Sequence, residues 1–371
     1  MPEELIAEGQ VKYLQILDEK GNCDEALRPP LTPEEMRRFY QMMVQIRVFD
    51  EVAFSLQREG RALTYAPLLG QEAVQIGTAL ALNPEDWVVG PYRENGVYIA
   101  RGLPMEMAYL YWSGDERGGR MPDGLNIVPY AIPVGTQAPH AVGLAWGFKL
   151  RGEPRVVACY FGDGATSKGD VHEGMTFAGV LKSPTVFICS NNQYAISVPR
   201  REQCAAETLA QKAWGYGFEG IQIDGNDIFA VYRATREAAA KARGGGGPTF
   251  IECITYRRWS HTTADDPTRY RSAEEVSSWE RRDPIDRLQK YLHRQGLWDE
   301  AWEKEVWAGA RDAVSKAVAQ SQAHPAPAPE DMFDHLYAEL PPILQLQKEE
   351  MLQAPVKGDL YGTSQHRGGP Q

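Results

Sequence analysis

The sequence predicts an α/β fold: a parallel sheet with helices on both faces, and helical extensions at the N- and C-terminal ends. Three observations predict it. Between residues 139 and 256, short and nearly continuous apolar runs alternate with helical stretches, the pattern of strands buried on both faces. Turn-forming or polar residues follow those runs, as the connections of a layered α/β domain require. A chain of 371 residues is long enough to bury a large core.

Each element has its own justification. Residues 1–30 form a mixed N-terminal extension that stops at Pro29-Pro30. Thr32, with Glu35 three positions on, makes a capping box, so a helix begins at Pro33 and runs towards Glu59, where Gly60 ends it. A further helix is predicted over 71–82. Residues 113–135 are rich in Gly and Pro without periodicity and read as a long loop. Helix 140–150 then leads to strand 155–161, and helix 171–181 to strand 185–190. Helix 207–214 leads to strand 221–224, and helix 228–243, through the glycines at 244–247, to strand 249–256. Residues 257–272 are polar and turn-rich, and helical patterns return from 273 to about 320. The main domain is expected to span 31–322. Residues 323–354 combine a Pro/Ala linker with a helical segment over 331–351, and 355–371 form a disordered tail.

Composition narrows the function. With 43% hydrophobic and 24% charged residues the chain is an ordinary globular protein. A formal charge of −11 excludes nucleic acid as the default partner, so any anionic ligand needs a locally built site. No apolar run approaches the roughly 18 residues of a membrane span, and the start Met1-Pro2-Glu3-Glu4 does not read as a signal peptide. The cysteines, Cys23, Cys159, Cys189, Cys204 and Cys253, lack metal-ligand spacing. Three lie in apolar strand-like runs, which predicts reduced thiols and a cytoplasmic protein.

Chemistry concentrates at two strand ends. Gly162-Asp163-Gly164-Ala165 follows the apolar run at 156–161, and Asn191-Asn192-Gln193-Tyr194 follows the run at 185–189. In an open parallel sheet, ligands bind outside the carboxyl ends of the strands. Asp163 offers an anionic oxygen, Asn192 an amide oxygen and Tyr194 a backbone carbonyl, a set that suits magnesium completed by phosphate oxygens. Gly162 and Gly164 let the backbone approach a phosphate, with the N–H groups of Gly164 and Ala165 near a helix start. Either motif alone is an ordinary turn; the pairing at neighbouring strand ends carries the signal. A magnesium-dependent phosphohydrolase with Asp163 as nucleophile is a second reading, although the usual DxD spacing is missing. A non-catalytic scaffold is a third.

The GDGA…NN pair is similar to the thiamine diphosphate motif. The wider wording resembles the alpha subunit of the decarboxylating component of 2-oxo acid dehydrogenase complexes, with bacterial pyruvate dehydrogenase alpha chains the nearest in wording. The resemblance rests also on the stretches at 70–73, 91–96, 134–143, 192–197 and 261–271 and covers roughly residues 30–350.

That resemblance implies a thiamine diphosphate-binding fold of the diphosphate-holding type, with thiamine diphosphate and Mg as cofactors. It implies cofactor contacts from Tyr92, Arg93, Ile132, Val134, Asp163, Gly164, Ala165, Asn192 and His261, and metal ligands Asp163, Asn192 and Tyr194. His261 is the implied catalytic residue, at the diphosphate and near the reacting carbon. Tyr65, with Leu68 and Leu69, matches the border of the acyl pocket, where a bulky ring favours a small substrate such as pyruvate. Thr136 and Gln137 match a potassium site of some relatives, and Thr262 a regulatory serine. His140 is expected behind the site residues, and His172 in packing or solvent. The implied reaction is oxidative decarboxylation of pyruvate with acyl transfer to a lipoyl-bearing acyltransferase component. Branched-chain 2-oxo acids and acetoin remain alternatives. The glutamate that activates the cofactor finds no candidate here and is expected from a beta chain, in an assembly of two alpha and two beta chains.

Overall fold

The computed structural model describes residues 3–354, so the expectation for the tail lies outside the described residues. The chain divides into two compact units, Met1–Gln322 and Ala323–Gln371.

The first unit begins with strand β1 (Lys12–Leu14) and helix α1 (Pro33–Arg58). The capping box forms as the sequence dictates: the Glu35 amide donates to Thr32 Oγ1, and the Thr32 amide donates to the Glu35 carboxylate. Next come α2 (Glu72–Ala81), β2 (Trp87–Val89), α3 (Asn95–Ala100) and α4 (Met105–Trp112). The α/β repeat follows as α5 (Gln137–Leu150), β3 (Val157–Gly162), α6 (Gly169–Leu181) and β4 (Thr185–Asn191). A small antiparallel pair, β5 (Tyr194–Ala195) with β6 (Val198–Pro199), and the short α7 (Arg200–Gln203) lead to β7 (Glu219–Asp224), α8 (Ile228–Arg243) and β8 (Thr249–Ile254). Helices α9 (Ala273–Glu280), α10 (Pro284–Arg294) and α11 (Glu300–Gln322) complete the unit. The second unit contains α12 (Asp331–Asp334) and α13 (Pro342–Gln353).

The main sheet has six strands in the order β1-β7-β8-β4-β3-β2, with every neighbour pair parallel. Side-chain alternation splits the core in two. Ala158, Tyr160, Val186, Ile188, Ile251 and Cys253 face one layer, built from α1, α2, α8, α10 and α11. Val157, Cys159, Phe161, Phe187, Cys189 and Phe250 face the other, under α5 and α6. All five cysteines are free thiols.

The predicted helix at 207–214 is a 3₁₀ helix, Ala210–Tyr216. A side chain at Gly220 of β7 would stand 2.1 Å from the Ala210 carbonyl, so this tight segment lies directly on the strand backbone. The predicted strands at 155–161 and 249–256 pair over Val157–Gly162 and Thr249–Ile254. Strands β1 and β2 and helices α3 and α4 have no counterpart in the sequence reading; three-residue strands are too short to show alternation. No helix of the described residues is long and apolar enough to cross a membrane.

Candidate cofactor and metal site

The segments following β2, β3, β4 and β8 converge at the carboxyl edge of the sheet around a cavity of about 240 Å³. Its walls include Tyr92, Arg93, Val134, Asp163, Gly164, Ala165, Asn192, Tyr194 and His261. Ile132 lies outside this lining and is half exposed. Tyr65 also lies outside it: the ring is fully buried in the core, edge-on to Trp112, and its hydroxyl donates to Asp50 at 2.6 Å.

Asp163 opens a short 3₁₀ turn directly after β3. Its carbonyl accepts from Gln203 and Thr166, which fixes the turn. The carboxylate is buried and Oδ2 has no partner. Burial pushes its pKa up to about 6, opposed by its own amide and by Arg257. Asn192 Nδ2 donates to Gln71 Oε1 at 3.1 Å, and its amide oxygen accepts from the Tyr194 amide at 3.5 Å. The backbone around it is contorted: Gln193 and Ile196 have φ of +76° and +58°, the latter costly for a β-branched residue. A side chain at Gly164 would come within 2.9 Å of the Ala195 side chain, so only glycine leaves this approach open.

Two arginines line the same cavity. Arg93 donates to the Pro67 carbonyl and, at 3.0 Å, to the His261 carbonyl, while its guanidinium lies over the Tyr92 ring. Arg257 donates to the carbonyls of Tyr194 and Ile196 and to the Tyr270 hydroxyl. Neither arginine forms an ion pair with a carboxylate among the described residues. Burial and the neighbouring Arg93 lower the Arg257 pKa to about 10. His261 Nδ1 lies 3.1 Å from Arg93 Nη2 and 3.4 Å from Arg257 Nη1. Two guanidinium donors on one nitrogen make it the acceptor, so the ring proton sits on Nε2. Burial, then Arg93, then Arg257 push the His261 pKa down to about 3. The loop that carries His261 is tied by Asp265, which accepts from the His261 amide and the Tyr270 hydroxyl, and by Arg271, which grips the carbonyls of 257–259.

Of the remaining expected residues Gln137 borders the cavity, while Thr136, His140 and His172 do not. Gln137 spends its amide on Gly135, Ala131 and Pro133, and Thr136 donates to Pro133, so both side chains brace the 131–135 loop. His140 is exposed and bonded to its own helix at the Thr136 carbonyl, with no part in the cavity wall, because its helix starts three residues earlier than the pattern suggested. His172 pairs with the Tyr216 hydroxyl. Sequence reading missed Gln71, Glu94 and Arg257 as wall residues. Gln71 and Glu94 stand inside the quoted 70–73 and 91–96 stretches, where an outward turn of either side chain was equally compatible with the pattern. Glu94 is buried with Oε2 unpartnered, and burial raises its carboxyl pKa to about 8.

The described residues contain no cluster of three or more His, Cys, Asp or Glu able to hold a metal. Any cation here must therefore draw on Asp163, neutral oxygens and a ligand's own oxygens. The orphaned Asp163 oxygen and the glycine approach fit a metal–diphosphate pair, and the unpaired arginines fit its excess negative charge.

The family model described as dehydrogenase E1 component matches residues 40–330. The chain is 46% identical over 321 residues to the 3-methyl-2-oxobutanoate dehydrogenase subunit alpha of Mycobacterium tuberculosis, covering 86% of this chain and 88% of that one. It is 43% identical over 349 residues to the pyruvate dehydrogenase E1 component subunit alpha of Staphylococcus epidermidis, covering 93% and 94%. The corresponding subunit of Staphylococcus aureus is 42% identical over 344 residues, covering 92% and 93%. With its parallel sheet, its carboxyl-edge cavity and these relatives, the chain belongs to the dehydrogenase E1 component family.

Proposed function

We propose that this chain is the alpha subunit of a 2-oxo acid dehydrogenase component that binds thiamine diphosphate with magnesium and acts on pyruvate. One observation carries the cofactor assignment. Arg93 and Arg257, buried and without carboxylate ion pairs among the described residues, line the same cavity as the partnerless Asp163 oxygen. An anion alone leaves Asp163 uncompensated, and a cation alone leaves Arg93 so; a magnesium diphosphate satisfies both.

In this reading Asp163, Asn192 Oδ1 and the Tyr194 carbonyl hold the metal, and Arg93 and His261 Nε2–H hold phosphate oxygens. Arg257, already committed to the Tyr194 and Ile196 carbonyls, keeps the metal-side backbone in shape. Val134 borders the organic part of the cofactor. Thiamine diphosphate, when bound, supplies the carbanion that adds to a 2-oxo acid and the sink that allows loss of carbon dioxide. His261, neutral and anchored at Nδ1, is placed to hold or move a proton through Nε2 as the acyl group passes to a lipoyl group. A beta chain completes the site, and the acyl acceptor is a lipoyl-bearing acyltransferase.

Pyruvate is supported by the Staphylococcus relatives, which match nearly end to end. A second substrate, 3-methyl-2-oxobutanoate, is favoured by one observation. The Tyr65 ring is turned into the core and tied to Asp50, so it does not narrow the cavity as the size argument requires. The two acids differ by two methylene equivalents, each worth about 1–3 kcal/mol in such a pocket.

Two measurements on the assembled alpha–beta component test the reading. Turnover with pyruvate should exceed that with 3-methyl-2-oxobutanoate; the reverse order assigns the branched acid. Calorimetric titration with thiamine diphosphate should need Mg²⁺ and should vanish in the Asp163→Ala/Asn192→Ala double variant. Unchanged binding there removes the site assignment.

A further inference from the structure

Arg93 and His261 come from segments far apart in sequence, yet both hang on one short strap of backbone, residues 65–70. The Pro67 carbonyl takes Arg93 Nη1. Tyr65 and Thr263 exchange hydrogen bonds, Thr263 N–H to the Tyr65 carbonyl at 2.9 Å and Tyr65 N–H to Thr263 Oγ1 at 3.1 Å. The Leu69 carbonyl takes the Arg258 amide at 3.1 Å, and the Gly70 carbonyl takes the Thr255 hydroxyl at 3.0 Å. One edge of the strap therefore holds the arginine and the loop that carries the histidine.

The other edge is held by a residue outside the cavity. Asp50, on α1 and fully buried, accepts from the Tyr65 hydroxyl at 2.6 Å and the Leu68 amide at 2.8 Å through Oδ1, and from the Leu69 amide at 3.0 Å through Oδ2. Glu72 adds a bond to the Gly70 amide but is shared with Arg47. Asp50 alone receives both amides at the middle of the strap.

We propose that Asp50 is a positioning residue for the cofactor's diphosphate, acting through the 65–70 strap on Arg93 and His261 together. This rests on the thiamine diphosphate reading above. A carboxylate accepts all three donors at once. An amide of the same shape accepts with one oxygen only and turns its NH₂ against the remaining donors, so the strap loses its register without losing a core residue's volume.

The test is a double-mutant cycle on the assembled alpha–beta component, read as thiamine diphosphate affinity in Mg²⁺. Asp50→Asn should weaken binding at least tenfold in the otherwise native protein, and by no more than about threefold when Arg93 is already alanine, because only the His261 arm then remains. A merely structural role predicts the same loss in both backgrounds, and that result, or native affinity in Asp50→Asn, overturns the proposal. Should Asp50→Asn not assemble, Tyr65→Phe removes one donor and leaves the carboxylate in place. A loss of about threefold that shrinks in the Arg93→Ala background is then expected, and an additive or absent loss overturns it. Amide exchange in the cofactor-free assembly separates the two readings. Faster exchange at Thr263 and Arg258 in the variants supports the strap even if native protein fails to bind thiamine diphosphate, which would sink the cofactor reading instead. Unaltered exchange sinks the strap.

Discussion

At the residue scale the proposed chemistry turns on His261. Its Nδ1 faces two guanidinium groups, and burial acts in the same direction, so the imidazole stays neutral until the pH approaches 3. The folded chain then binds fewer protons than the unfolded chain between about pH 3 and the ordinary histidine value near 6.5. Stability should therefore fall as the pH drops through that window. An NMR titration of the cofactor-free protein, with the His261 resonance assigned from His261→Gln, should show no protonation of this ring at pH 5. A midpoint near 6.5 would disprove the neutral tautomer. Much of the cavity lining was legible: Asp163 and Asn192 could be named from the two strand-end motifs, and Tyr92, Arg93 and His261 from the family resemblance. Gln71, Glu94 and Arg257 could not, because nothing in a local pattern says which way a polar side chain turns at a strand or helix end. Tyr65 shows the same limit in reverse. Its place in the chain suggested the pocket, and a hydrogen bond to Asp50 turned it away.

At the element scale, α6 connects the Asp163 turn to the rest of the sheet, and its fit is close. A side chain at Gly179 would stand 1.9 Å from the Tyr216 carbonyl. Alanine is the better helix former, by about 1 kcal/mol. Gly179→Ala should nonetheless destabilise the fold by about 1–3 kcal/mol, the usual cost of overpacking, measured as a lower urea midpoint with an unaltered slope. A higher midpoint would show that the 3₁₀ segment yields. The long elements were readable because each carries several turns or residues of period; α1 even announces its start through Thr32 and Glu35. The 3₁₀ segment at 210–216 was not, since the same residues suit an α-helix until the strand backbone beneath is considered.

At the scale of the whole molecule, one buried pair joins distant parts of the first unit. Arg287 of α10 donates to Asp224 at the end of β7 at 2.7 Å and to the Leu17 carbonyl at 3.0 Å, and is almost wholly buried. Arg287→Leu leaves Asp224 without its cation and should cost about 3–5 kcal/mol, read from the urea midpoint. A change within 1 kcal/mol would mean that water reaches the pair. The sequence by itself determined the α/β class, the boundaries of α1, α2 and α8 to within a residue and the residue types at the two strand ends, because periodicity, capping and turn chemistry act over a few residues. Tertiary structure alone decided the strand order, the entry of residues 12–14 into the sheet and the meeting of Arg93, Arg257 and His261 on one wall. It also decided the strap that Asp50 holds. Those depend on hydrogen bonds between segments scores of residues apart, whose partners exist only once the sheet has brought the chain back upon itself.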